Sequence, residues 1–505
     1  MPTRKIYTNT VAQIAGKILT ALISIAMIKI LTTYLDIEGY GLYSKIYNYL
    51  SIFAVIADLG LYTITVRELS AHAEDRAMIR KISGNVLSLR TLSGVIIVFL
   101  SLFIGLFLGG YDSPEALIGI GIAGLFTLAG LVNSSLMSYL QATLRTEFSI
   151  VANTSGKLLT FGMILMFTIF FASVAHTEKF TLVMLAGLAG NILMMALTWW
   201  YVNKYERVRF AWDSTYIRHI IGISLPYWLA LFLNVIFFKV DTILLSLMSP
   251  RSLADTVVAL YALPMKIVEV GMMYGTIFLN SLLPVLTKAI EKNEIQKIYH
   301  LTAHAWKLLL FFGVGIATFS FALAPDIIRI ISSREYLDTV VFWGTSVEAM
   351  QIVVWIFLFY FLSSLFTFTL IARSEQKKML MINLVIAILN IIGNIIIIPY
   401  YSFIGSAWVT LISQVCLLVV TGIVARHNIR FRQVLPMSLG IFSFALFWLL
   451  VIGYIFGQEA RFIPEWGSIE DSLSRICILG SIFTLIYGGW VGSIFLYRNK
   501  KKIRQ

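Results

Sequence analysis

Ten prolines, two cysteines and no Cys/His ligand spacing in 505 residues leave neither a disulfide framework nor a metal site to argue for. Cys416 and Cys477 both lie within apolar runs, as lipid-facing or core filler. Charge is scarce too, at 13% of residues, and no connection exceeds about 20 residues, well short of ordinary domain size. A separate soluble domain is thereby excluded. What the chain has in quantity is hydrophobic residues, 59% of the total, in runs of about 20 residues along its whole length. This is the composition of an all-α polytopic membrane protein. The net charge of +13 is not gathered in a patch, as a nucleic-acid surface would need, but spread over many short loops, so no nucleic acid is expected.

Apolar windows give fourteen candidate spans, near 8–33, 41–67, 86–109, 115–140, 149–172, 180–202, 219–248, 256–286, 301–324, 341–371, 379–399, 402–425, 436–456 and 473–497. The basic N-terminus resembles a signal peptide, yet no small-residue cleavage site follows, so the first span is expected to stay as an anchor. Lys and Arg concentrate on the cytoplasmic side of membrane proteins. Here they alternate: Arg4/Lys5, Arg76/Arg80/Lys81, Arg145, Lys204/Arg207/Arg209/Arg218, Lys288/Lys292/Lys297, Arg373/Lys377/Lys378, Arg426/Arg430/Arg432 and the tail share one side. The opposite connections are poor in base. Both termini are therefore expected in the cytoplasm.

A self-match at an offset of 230 aligns Leu140–Asn153 without gaps on Leu370–Asn383, each a span end, a basic loop and a new span opening on Asn. A weaker echo pairs Met27–Thr32 with Phe237–Thr242 at an offset of 210. Two parallel-repeat six-helix bundles follow, residues 1–203 and 204–432, with two C-terminal helices and a basic cytoplasmic tail over 433–505.

Six lysines fall inside expected spans, Lys17, Lys29, Lys45, Lys157, Lys239 and Lys266, together with Asp58, Asp241, Glu269 and Glu348. Each such charge costs roughly 2.5 to 3.5 kcal/mol at a helix centre and is retained only with a partner, a watery cavity or a ligand. They lie on polar stripes: Thr10, Gln13, Lys17, Thr20 and Ser24 in the first span, Asn48, Ser51, Asp58 and Tyr62 in the second, and Lys266, Glu269, Thr276 and Asn280 in the eighth. Depth along the helices suggests Lys17 with Asp58 and Asp241 with Lys266 as pairs. Asn153 with Lys157, and Asn383 with Asn390 and Asn394, add polar groups to the fifth and eleventh spans. The competing account makes the Asn residues interhelical glue worth about 0.6 kcal/mol each. Lys29 and Lys45, near span ends, could snorkel to the interface. His300 and His304 have metal-binding spacing but sit by a basic loop, where solvated histidines are expected. Trp199, Trp200, Tyr201, Tyr400 and Tyr401 fit interfacial belts.

A family resemblance rests on an ordered set of elements: Asn9, Gln13 and Lys17; Gly39-Tyr40-Gly41; Asp58-Leu59-Gly60-Leu61 followed by Arg67-Glu68; and Pro226 with Asp241. Tyr261 and Pro284, then Asn383, Asn390, Asn394, Ile398-Pro399 and Gly405-Ser406-Ala407 continue it. In these the chain resembles the polysaccharide flippases, of the O-antigen and exopolysaccharide type, within the multidrug, oligosaccharidyl-lipid and polysaccharide exporter (MOP) superfamily. The resemblance implies a MATE-like fold of two bundles around a cavity in the inner membrane, and alternating access that moves an undecaprenyl-diphosphate-linked oligosaccharide. It implies membrane lipid, the polysaccharide polymerase and the chain-length machinery as further partners, and no cofactor beyond a coupling H+ or Na+. Lys17, Lys239 and Lys266 are the expected anion contacts, with Asp58, Asp241, Glu269, Gln13, Asn153, Lys157, Asn383 and Asn390 completing the cavity. The rivals on the same fold are an ion-coupled small-molecule antiporter and a lipid II flippase. A glycan polymerase or glycosyltransferase would need acids on a sizeable loop, and the one acidic pair of that kind, Asp36 and Glu38, sits in a short turn.

Overall fold

The computed structural model describes residues 2–72, 74–342, 344–426, 438–443, 446–447, 470, 472–481, 487 and 489, with side chains at Gly16 and from Leu19 onward. Gln13 and Lys17 lie outside the described side chains, and most of the spans expected at 436–456 and 473–497, with the tail, lies outside the described residues. Among the described residues no strand forms. The helices are α1 (Pro2–Tyr34), α2 (Asp36–Asp58), α3 (Leu61–Ala71), α4 (Arg76–Phe107), α5 (Pro114–Ala142), α6 (Thr146–Phe170), α7 (His176–Asn203) and α8 (Ser214–Met248). They continue with α9 (Ala254–Glu291), α10 (Ile295–Ala322), α11 (Ala324–Ile331), α12 (Glu335–Asp338), α13 (Ser346–Val353), α14 (Ile356–Ala372) and α15 (Gln376–Val424).

Among the described residues ten stretches are long and apolar enough to cross a membrane, α2 with α3 forming one and α13 with α14 another. The described apolar part of α1, Leu19–Tyr34, adds a shorter helix. The longest, α15, is two helices merged across Ser402, whose φ of 49° and ψ of −135° are not helical. Helices thus stand at each of the first twelve expected spans of this multi-pass membrane protein.

Sequence spacing sets which face of each helix meets lipid. On α4, Leu92, Ile96, Phe99, Phe103 and Phe107 recur every three or four residues and are exposed, Phe99 by 70% and Phe107 by 77%. Leu89, Arg90, Ile97, Ser101 and Gly105 fill the opposite, buried face. The helix is apolar outward because its solvent there is hydrocarbon. Starts follow capping chemistry: Asp75 accepts from the Ala77 and Met78 amides at α4, and Ser113 caps α5 ahead of Pro114. Asp213 caps α8 through the Thr215 and Tyr216 amides, and the Lys81 ammonium, hydrogen-bonded to it, holds its carboxyl below the usual carboxylate range.

The two copies of the internal repeat fold their turns alike. The Arg145 amide donates to the Leu140 carbonyl at 2.8 Å and the Leu144 amide to Gln141 at 3.1 Å; Glu375 to Leu370 and Ser374 to Ile371 match them at 2.9 Å each. Leu144 and Ser374, 230 positions apart, are both left-handed, with φ of 55° and 60°. Each turn is a Schellman motif, satisfying the carbonyls that a helix end leaves open.

The chain divides into two compact units, Met1–Ala259 and Leu260–Gln505. In the first, Leu61, Ile64, Ile82, Leu87, Leu136, Leu140, Ile217 and Ile220 join α3, α4, α5 and α8 in one core. In the second, Leu286, Ala289, Ile298 and Ala372 form a smaller one. The span made of α2 and α3 is broken at Leu59 and Gly60, which are left-handed in succession. Trp228 of α8 fills the break and donates its indole N–H to the Val55 carbonyl at 2.9 Å. A Cβ at Gly60 would stand 2.9 Å from the Trp228 amide nitrogen. Gly60→Ala therefore meets both left-handed strain and overpacking, and should destabilise the protein by on the order of 2 kcal/mol. Thermal melting of the detergent-purified variant reads this out; a wild-type melting temperature would mean that α8 does not seat in the break.

Candidate functional site

Asp58 is the last residue of α2, directly before the break. Arg90, fully buried on α4, pairs with it and also donates to Ser134 Oγ of α5 at 2.7 Å, while its Nε, equally buried, has no hydrogen-bond partner. Ser93 Oγ donates to the Ala57 carbonyl at 2.9 Å, tying α4 to the same end of α2. One turn on, the Tyr62 hydroxyl donates to Gln141 Oε1. A cavity of about 300 Å³ opens beside them, lined by Thr20 of α1, Tyr62, Gln141, and Ser149, Asn153 and Thr154 of α6. Hydroxyls and amides share its wall with Gly16, Met137 and Ile150, and the Asp58–Arg90 charge pair lies next to Tyr62. Lys157, one turn beyond Asn153, donates to Ser24 Oγ of α1 at 3.2 Å.

The residues expected at the site are distributed as follows. In the first unit, Asn153 lines the cavity, Lys157 lies one turn further along α6 against Ser24 of α1, and Asp58 is held by Arg90 of α4. Lys239 is half-buried on α8, and Asp241 fully buried, its Oδ1 accepting from the Thr242 amide at 2.7 Å. In the second unit, Lys266 Nζ is 3.3 Å from Glu269 Oε2, on the same face of α9. Asn383 is half-buried on α15. Asn390 is fully buried there, donating to Ser413 Oγ at 3.4 Å and accepting from Asn394, which in turn accepts from Ser406. That network joins the two arms of α15 across the Ser402 kink.

Arg90 escaped the sequence reading, although a basic residue flanked by Leu89 and Thr91 within an expected span was its signal. Lys45, read as able to snorkel, is 3% exposed; its ammonium lies 2.5 Å from Asp255 Oδ1 and donates to the Gly110 carbonyl at 2.8 Å. Beside it, Arg251 pairs with Asp112 at 3.2 Å. Glu348, taken as an intramembrane charge, closes a capping box with Thr345 at the start of α13, where its carboxylate satisfies the open amide. His300 and His304 lie on α10 rather than in a loop, with rings 4.1 Å apart, and no metal-holding cluster exists among the described residues.

A family profile described as polysaccharide biosynthesis protein matches residues 6–290, more than half of the chain. The chain belongs to this family. A second profile, MatE, matches residues 226–396. No curated sequence is matched. Among solved structures, the lipid II flippase MurJ in an inward closed conformation is similar over 98% of this chain and 99% of its own, at 18% identity and a TM-score of 0.72. An inward-facing multidrug resistance MATE family transporter of the MOP superfamily matches 82% of this chain and 97% of its own, at 13% identity and a TM-score of 0.66. A MOP superfamily transporter from Pyrococcus furiosus matches 81% and 94%, at 14% identity and a TM-score of 0.54. The fold of this polysaccharide biosynthesis family member is that of the MOP superfamily.

Removing one member of a buried ion pair strands the other charge, at a cost of about 3 to 5 kcal/mol. Arg90→Ala should therefore lower the melting temperature far more than the double change Asp58→Asn/Arg90→Gln, which removes both charges. Differential scanning fluorimetry in detergent compares the two; equal melting of Arg90→Ala and wild type would show that the pair does not support the fold.

Proposed function

We propose that the protein is a flippase carrying an undecaprenyl-diphosphate-linked oligosaccharide from the cytoplasmic to the outer leaflet of the inner membrane, for surface polysaccharide such as O-antigen, capsule or exopolysaccharide. The observation that carries this reading is a cavity bearing hydroxyls and amides beside apolar side chains inside a membrane-embedded unit of a polysaccharide biosynthesis family member. A wall of Thr20, Tyr62, Gln141 and Asn153 offers donors and acceptors suited to a polyhydroxylated chain. Lys17, Lys239 and Lys266 supply cations for a diphosphate, offsetting the cost of bringing it through hydrocarbon. Asp58, which already holds Arg90, and Asp241 and Glu269 balance part of that charge, with Gln13 and Asn383 adding polar groups, whereas Asn390 is tied into the α15 network. A coupling H+ or Na+ drives alternating access, and the polymerase and chain-length machinery take up the product.

The assembly comprises fourteen spans: repeat halves 1–203 and 204–432, supported by the matched turns at Leu144 and Ser374, and two further helices with the basic tail at 433–505. Loop charge supports cytoplasmic termini. A second reading, an ion-coupled antiporter of small molecules, is favoured by the MatE match over 226–396.

Deleting the gene in its host and probing spheroplasts with a membrane-impermeant lectin separates the two. Lipid-linked oligosaccharide should accumulate in the cytoplasmic leaflet and be released by the wild-type gene. Lys17→Ala or Lys266→Ala should restore export on the order of tenfold less well while still inserting, the value of a charge-assisted hydrogen bond of about 1.5 kcal/mol. Unchanged glycan export in the deletion strain would remove the flippase reading in favour of the antiporter.

A further inference from the structure

The connection between α7 and α8 is a fixed strap laid along α4. Residues 206–213 form no helix, and their side chains alternate: Glu206 and Val208 point inward, Arg207 and Arg209 outward. The backbone is pinned at two points. The Ala211 amide donates to Ser88 Oγ at 3.1 Å, and the Asp213 amide to Asn85 Oδ1 at 2.5 Å. Gly84 permits the approach, since a Cβ there would stand 2.5 Å from the Arg209 carbonyl.

Between strap and helix lies a cleft of about 750 Å³, lined by Arg80, Lys81, Arg207 and Arg209. Two carboxylates are within it or behind it, and both are used: Glu206 by Arg80 at 2.5 Å and Asp213 by Lys81 at 2.7 Å. The Arg207 and Arg209 guanidinium groups have no carboxylate within ion-pair distance among the described residues. Exposed Phe210 and Trp212 flank them, an arrangement of aromatic next to base that suits the boundary between headgroups and acyl chains. The nearby cations Lys204 and Arg145 are engaged on the rings of Trp200 and Tyr205, at 3.5 and 3.4 Å. Two exposed guanidinium groups, whose fork geometry matches phosphate, thus stand on a strap whose backbone is pinned at Ala211 and Asp213.

We propose that this cleft binds the phosphate headgroup of an anionic phospholipid, with Arg207 and Arg209 on the phosphate and Phe210 and Trp212 against the upper acyl chain. The site lies on the side where the basic loops gather, and in biological membranes the cytoplasmic leaflet carries anionic lipid. It is separate from the hydroxyl-lined cavity and stands whether or not the protein is a flippase. A free phosphate would satisfy the arginines alone and leave the aromatic flank without a purpose.

The test uses the full-length protein purified in detergent, with native mass spectrometry reading the apparent affinity of the first bound lipid. Phosphatidylglycerol should bind more tightly than phosphatidylcholine. Arg207→Gln/Arg209→Gln should weaken phosphatidylglycerol on the order of thirtyfold, each arginine contributing about fivefold. The same loss in Lys288→Gln/Lys292→Gln, which removes two basic-side charges elsewhere, would overturn the site, since any basic loop would then serve. Equal binding of the two lipids by the wild type would overturn it as well. Soluble glycerol phosphate competing as effectively as phosphatidylglycerol would assign the cleft to a free anion instead. Both arginines are exposed, so the variant should melt with the wild type in phosphatidylcholine; each single variant, losing about fivefold, gives an independent reading.

Discussion

A guanidinium in hydrocarbon has no solvent to fall back on, and the first unit is organised around that fact. Arg90 comes from the middle of α4, so α2 must present a carboxylate at the same depth and α5 a hydroxyl. Asp58 meets it as the terminal residue of α2, where the chain leaves the helix through two left-handed residues. The break would open backbone carbonyls to lipid, which membrane proteins tolerate only where protein re-satisfies them. Trp228 does so from α8. One ion pair thus links the depth of three helices, the interruption of a fourth element and the seating of a fifth.

The remaining polarity of the unit follows the same logic of internal partners. Lys45 is held by Asp255 and by a loop carbonyl, and Asn191 of α7 donates to the Phe126 carbonyl of α5 at 2.8 Å. The hydroxyls and amides around Thr20 and Asn153 differ, because they border open volume. Those groups can exchange one hydrogen-bonding partner for another, which a structural lock would resist. In the second unit, by contrast, Asn390, Asn394 and Ser406 satisfy one another in a closed set.

Much of the architecture was legible in the sequence because hydrophobic runs and loop charge are one-dimensional signals. The first twelve spans and the repeat at an offset of 230 could be read directly, the latter because turn chemistry is local and survives as hydrogen bonds at equivalent positions. What failed were features that depend on a distant partner or a hidden break. Arg90 is absent from the charges expected inside spans, although α4 begins at Arg76 and carries it well into the bundle. Lys45 gave no hint of Asp255, some two hundred positions away. Glu348 looked intramembrane because the apolar run from 341 to 371 conceals two helices. The cost of Asp58 inside a span is legible in the sequence; its pairing with Arg90 is not.

The strap between α7 and α8 has a bearing on how the molecule can be engineered. As an exposed, arginine-bearing connection between two membrane-spanning helices, it is where a topology reporter would ordinarily be spliced. Its amides are already committed to Ser88 and Asn85, and its register is set to a residue by the passage over Gly84. A reporter inserted there would peel the segment from α4 and uncover Val208 and Glu206, so its signal would measure damaged packing rather than sidedness.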